Sequence, residues 1–253
     1  MLIDSKKTLV IKIPKVLSVE SVDKFHEELG ALINQGPAML ELDCSRIDLV
    51  TSSHINLLWE ARTLCLERGI KIKLCFVSSG LIRVLKVLDL HEIFLGDKNE
   101  LPEDALHQDH MEFQAIGEFK LEFRAEANSI TRALAEFRRY LSKLNLPMKG
   151  VIELEIVFYE VVTNIRLHSG VSSDATIMFN ANSLKNKIVM VFTDQGKAFD
   201  PTSKEQNFDP DKAIKEKKKH GFGLTMITRM TNRMTYERRD DRINVLTLEK
   251  HWR

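Results

Sequence analysis

The stretch IELEIVFYEVVTNIRLHSG, residues 152–170 with Val151 before it, is one continuous helical run. Glu160 and Asn164 stand four residues apart in it, so their side chains share a face. A carboxylate and an amide so placed can act together. The acid takes a proton or orients a hydroxyl, and the amide oxygen binds a hard cation such as Mg²⁺. Taken alone, the same pair far more often marks a solvated helix face, since Glu and Asn are common surface residues.

Two later stretches, in order, give the pair its meaning. The strand-like run Lys187 to Phe192 leads into Asp194-Gln195-Gly196-Lys197-Ala198-Phe199-Asp200-Pro201. A buried Asp at a strand end is suited to accept the exocyclic amine of adenine, and a neighbouring Gly lets backbone approach the ring. After a long polar stretch comes His220-Gly221-Phe222-Gly223-Leu224-Thr225-Met226-Ile227, where two glycines open an apolar-periodic helix. Free N–H groups at such a start suit a polyphosphate.

On these residues, positions from about 119 to 253 resemble the Bergerat-fold ATP-binding domain of anti-sigma-factor serine kinases, relatives of histidine kinases, DNA gyrase and the heat-shock chaperones of that fold. Glu160 and Asn164 match the family's N box, Asp194 and Gly196 its first glycine box, and Gly221, Gly223 and Leu224 its second. The resemblance implies that Glu160 is the general base on an attacking hydroxyl, Asn164 a Mg²⁺ ligand and Asp194 the adenine reader. It implies ATP contacts at Gly196 and Ala198, and a phosphate cradle from Gly221 to Leu224. Thr247, in the last strand, matches a family Thr or Ser near adenine. Ala198 stands where a further glycine is frequent, and Arg166 interrupts a segment that is usually small and apolar.

Length and composition set broader limits. A chain of 253 residues is long enough for two domains, each with its own core. With 43% apolar and 29% charged residues it reads as globular, and a net charge of +1 offers no electrostatic case for nucleic acid or membrane binding. Cys44, Cys65 and Cys75 form no CxxC pair and read as core thiols of a reducing compartment. No segment has the apolar length of a membrane span and the N-terminus lacks a signal-peptide core, so a cytoplasmic protein is expected.

From the N-terminus, Thr8 to Ile13 alternates as a strand, and Ser18 precedes a helix with Phe25, Leu29 and Ile33 on one face. Strands are expected at Met39 to Asp43 and Ile70 to Val77, with a helix from Thr51 to Gly69 between them. A short helix from Ser79 through Leu88 and a strand at Ile93 to Leu95 complete an α/β unit. The polar segment from Asp97 to His110 reads as a linker, and His107 and His110 in it as solvated. In the second unit the expected elements are a strand from Phe119, a helix capped by Ser129, and a hairpin of Thr176 to Phe179 with Val189 to Phe192 around the polar stretch Asn180 to Asn186. Residues 199–220, carrying the run Lys215 to Lys219, read as a lid. Met226, Met230 and Met234 read as core filler, and His168 as a structural hydrogen-bonding residue.

Residues from about 8 to 98, with LELDCSRIDLVTSSHINLLWEA and then the GIKIKL strand, resemble a STAS domain, the fold of anti-sigma-factor antagonists. In that family a Ser or Thr at this helix start is the phosphate acceptor, and Ser52 is the matching residue. The family pattern is Asp-Ser-Ser-Gly, whereas this chain has Thr51-Ser52-Ser53-His54. Any of the three hydroxyl residues also suits an N-cap.

The expected architecture is therefore α/β (α+β): a STAS-like domain over residues 1–98, a linker over 99–115, and a Bergerat-fold sandwich over 116–253. The expected function is partner-switching signal transduction of the bacterial anti-sigma type. Its reaction is Mg²⁺ and ATP dependent transfer to a STAS-domain Ser or Thr, in cis or in trans. A nucleotide-gated, non-catalytic module that sequesters a partner is the alternative. Expected partners are a STAS-domain protein, a sigma factor or another regulatory protein, with a homodimer compatible with the resemblance.

Overall fold

The computed structural model describes residues 7–95, 117–202, 222–240 and 242–252. The chain divides into two compact units. In the first, strands β1 (Thr8–Lys12), β2 (Met39–Asp43) and β3 (Lys71–Cys75) form a parallel sheet in the order β1-β2-β3. Thr8 is opposite Met39, and Met39 opposite Lys71. Leu40 and Leu42 of the central strand are fully buried. Parallel neighbours need long crossovers, supplied by α1 (Val19–Ile33) and α2 (Ser52–Glu67).

Helix α1 starts in a capping box in which Ser18 and Ser21 exchange hydrogen bonds, and it buries Phe25, Leu29 and Ile33 at four-residue spacing. Helix α2 buries Ile55, Leu58, Ala61 and Cys65 among others. Helix α3 (Ser79–Val87) is followed by α4 (His91–Leu95), where a strand was expected. The amide of Phe94 donates to the carbonyl of Leu90, and the Phe94 ring meets Trp59 edge-on at 6.4 Å, so an apolar triplet is buried as one helical turn.

The second unit is a five-stranded antiparallel sheet of β4 (Gly117–Arg124), β5 (Thr176–Leu184), β6 (Lys187–Asp194), β7 (Arg233–Arg239) and β8 (Ile243–His251), in the order β4-β5-β6-β8-β7. Its helices are α5 (Ala127–Leu141), α6 (Met148–His168) and α7 (Phe222–Met230). Strand β5 runs through most of the polar stretch read as a hairpin loop. Ile177, Phe179, Ala181 and Ser183 are buried on one face while Met178 and Asn182 point outward, so the asparagines are the polar half of an alternation. The α/β sandwich expected for this region is the observed fold class.

Aromatic rings join the layers: Phe137 of α5 lies 5.2 Å from Phe158 of α6, and Phe158 lies 4.8 Å from Phe179 of β5. Phe192 of β6 continues the stack at 4.8 Å from Phe179. All four are essentially without exposure, and truncating any one to Ala costs about 3–5 kcal/mol. Ser129 is not the cap of α5. Glu126 is the N-cap without a side-chain cap bond, and the Ser129 hydroxyl donates to Glu126 at 2.7 Å. Among the described residues no helix is long and apolar enough to cross a membrane.

Candidate functional site: an apolar pocket in the second unit

Helix α6 starts after Pro147, whose fixed φ suits a helix entry, and ends at Ser169 before Gly170 at φ +66°. Its N-terminal part is held by packing: Gly150 lies under the ring of Trp252, and Glu153, 1% exposed, pairs with Lys250 at 2.5 Å. Its C-terminal part turns Val161, Asn164, Ile165 and His168 to a pocket, the i, i+3, i+4, i+7 stripe of one helix face. Glu160 is buried one turn before Asn164, at 3% exposure.

The far wall comes from the sheet and from α7. Asp194 ends β6, Leu224 and Ile227 come from α7, Met234 and Tyr236 from β7, and Asn244 and Leu246 from β8. Phe199 and Pro201 close one side, and the space is about 530 Å³ including its open mouth. Apolar walls with a few convergent polar groups are the usual composition of a small-molecule site.

Asp194 is 6% exposed, and its Oδ1 accepts from the amide of Gly196 at 2.7 Å and from Nδ2 of Asn244 at 2.9 Å. Among the described residues nothing else bonds this carboxylate, so Oδ2 is the acceptor left to the pocket. Gly196 is required by a close approach. A Cβ there would lie 2.5 Å from Oγ of Ser169 and 2.7 Å from Oδ1 of Asp194. The amide of Lys197 then donates to the Ser169 carbonyl at 2.7 Å, pinning the loop after β6 to the end of α6.

The structure thus brings Asn164, Asp194 and Leu224 to one pocket, with Gly196 beneath the carboxylate. Ala198 is exposed and not among the lining residues, and Gly223 is half-buried at the start of α7. Gly221, most of the lid, and the linker with His107 and His110 lie outside the described residues. Thr247 faces away from the pocket, because Asn244 and Leu246 line it and residue 247 falls on the other side of the pleat. His168 is exposed at the rim with no hydrogen-bond partner among the described residues, and Met234 lines the pocket instead of filling the core.

Asn244, Tyr236 and Arg238 were missed by sequence reasoning. No local motif marks them, and they reach Asp194 only because β8 pairs with both β6 and β7, setting Asp194 opposite Asn244 and Arg238 opposite Asn244.

In the first unit, Thr51 is the N-cap of α2 and Ser52 its first helical residue. Oγ1 of Thr51 lies 2.8 Å from Nδ1 of His54, which also accepts from the Thr51 amide at 3.3 Å. Burial pushes the His54 imidazole below its ordinary value. Cys44 is inert by the same cause, its thiol pushed up to about 12.

A carboxylate facing an apolar pocket between helix and sheet has the composition of a small-molecule site. Residues 123–250 match the histidine kinase-like ATPase domain, about half of the chain, and the protein belongs to that family. Residues 4–97 match a family described as Mlab, STAS domain, so a STAS-like domain precedes the ATPase domain. No curated protein matches the chain. Among solved structures, the RsbU and RsbW domains of Rv1364c from Mycobacterium tuberculosis are similar at 13% identity and a TM-score of 0.36, over 53% of this chain and 32% of that one. The chain therefore spans about a third of that protein's length. The SiaB-SiaC complex from Pseudomonas aeruginosa is similar at 15% identity and a TM-score of 0.40, over 52% of this chain and 88% of that one.

Proposed function

We propose that the protein is a partner-switching regulator whose second unit binds Mg·ATP and transfers the γ-phosphoryl group to a Ser or Thr of a STAS domain, with Ser52 the acceptor on this chain. The observation that carries this reading is the convergence of Asn164 and Asp194 on one pocket, with Glu160 one helical turn away on the same helix. Oδ2 of Asp194 accepts from the adenine amine, the apolar walls take the ring faces, and the amide oxygen of Asn164 serves the cation. Bound Mg·ATP supplies the phosphoryl group. Glu160 takes the proton of the attacking hydroxyl as its oxygen bonds to the γ-phosphorus and ADP leaves with the electrons of the broken bond.

Glu160→Ala is expected to lower transfer from γ-labelled ATP by at least about 100-fold while ADP still binds. Transfer at the unaltered rate would remove Glu160 from the reaction. One observation favours a second reading, a nucleotide-gated binding module. The hydroxyl of Thr51, beside Ser52, is closed into a cap with His54, where the STAS pattern has a glycine. In that case ADP binds and no peptide is labelled.

A further inference from the structure

The geometry points to Asn244 as the residue that makes this site select adenine over guanine. The inference rests on the nucleotide reading above and concerns how Asp194 is allowed to read a base.

Asn244 is 4% exposed and hydrogen-bonded on both ends of its amide. Its Oδ1 accepts from the hydroxyl of Tyr236 at 2.7 Å and from Nη1 of Arg238 at 2.6 Å. A guanidinium has no acceptor, so the oxygen of the amide must face Arg238 and the nitrogen must face Asp194. Nδ2 then donates to Oδ1 of Asp194 at 2.9 Å and lies 3.2 Å from the Lys197 carbonyl and 3.3 Å from that of Gly196. Arg238 closes the ring by donating to the Gly196 carbonyl at 2.7 Å. The amide cannot turn over without setting donors against donors.

The consequence falls on the carboxylate. Oδ1 of Asp194 already holds two donors, Gly196 N–H and Asn244 Nδ2, which fill its two in-plane lone-pair directions. A single oxygen, Oδ2, remains for the ligand. Adenine presents one exocyclic amine and needs one acceptor. Guanine is gripped by a carboxylate through two donors, N1–H and the N2 amine, and needs both oxygens. With Oδ1 taken, guanine would have to present its O6 acceptor to Oδ2 or leave one of its donors unpaired, and a buried unpaired donor is strongly rejected. Asn244 is a positioning residue in this scheme: it acts on the ligand through Asp194.

The test is calorimetric titration of ADP and GDP, each with Mg²⁺, into the full chain and into Asn244→Leu. The unaltered chain should bind ADP at least about 30-fold more tightly than GDP, and the variant should cut that ratio by about tenfold or more, by weakening ADP, strengthening GDP, or both. A simple loss of packing would weaken both nucleotides together and leave the ratio alone, which overturns the inference. If Asn244→Leu does not fold, Arg238→Met carries the same test, since it frees the amide of Asn244 to turn. A lower ratio supports the assignment and an unchanged ratio overturns it. Failure of the unaltered chain to bind ADP would instead refute the nucleotide reading itself.

Discussion

At the start of α2 the buried polar side chains answer one another, whereas around Asp194 they leave one oxygen over. Thr51 and His54 close a cap within three residues, and the Pro14 and Lys15 carbonyls act on the same buried ring. Asp194, Asn244, Tyr236 and Arg238 come from three strands, and their network stops at an oxygen that faces an apolar pocket. Thr51, His54, Asp194 and Asn244 are all more than nine-tenths buried, so burial alone does not separate a structural cluster from a binding one. The spare acceptor does. The first arrangement fixes a helix start, and the second leaves a carboxylate oxygen at the wall of a pocket.

That contrast can be broken from either side. Gly196→Ala should have the largest effect, because its Cβ would collide with Ser169 and with Oδ1 of Asp194. We expect about 1–3 kcal/mol of destabilisation in thermal melting, together with loss of ADP binding. Gly150→Ala pushes a Cβ to within 2.6 Å of the Trp252 ring, and should cost about 1–2 kcal/mol after the helix-propensity gain while leaving ADP affinity unchanged. A matched loss of binding in Gly150→Ala would mean that the pocket reports general stability and has no separate network.

In the first unit, Thr51→Ala removes the cap and should cost about 1 kcal/mol, with no change in ADP affinity. The smallest effect is a pH dependence. Burial lowers the His54 value from 6.5, opposed by the Pro14 and Lys15 carbonyls, so the folded state favours the neutral ring. Its contribution is complete above pH 6.5 and is lost as pH falls below 6.5 towards the lowered value. Denaturant unfolding between pH 8 and 5 should show this slope in the unaltered chain and a shallower one in His54→Gln.

Much of the fold was legible because its elements announce themselves locally. The alternation of β1, the four-residue spacing of Phe25, Leu29 and Ile33, and the strand end at Asp194 all sit within short windows. The length of β5 was not, because Asn180 and Asn182 look like a turn until the buried Ala181 and Ser183 between them are seen. Ile93 to Leu95 misled for the opposite reason, since three residues carry too little period to tell a strand from a helical turn. Asn164 and Asp194, which line the pocket, stand in short windows that could be picked out from sequence, as does Glu160 one turn before Asn164. Asn244 could not, for it acts at a distance of 50 residues through a strand register that no short window contains.

The most direct test of the nucleotide site is the titration of ADP and inosine diphosphate against the full chain and against Asp194→Asn. In the variant the Gly196 amide and Nδ2 of Asn244 hold the new amide's oxygen on their side, so its nitrogen replaces Oδ2 and turns a donor towards the base. The account predicts that the unaltered chain prefers ADP, and that Asp194→Asn loses at least about tenfold in ADP affinity and comes to prefer inosine diphosphate, whose 6-oxygen accepts from that nitrogen. Equal ADP affinity in the two proteins, with the preference unmoved, would contradict it.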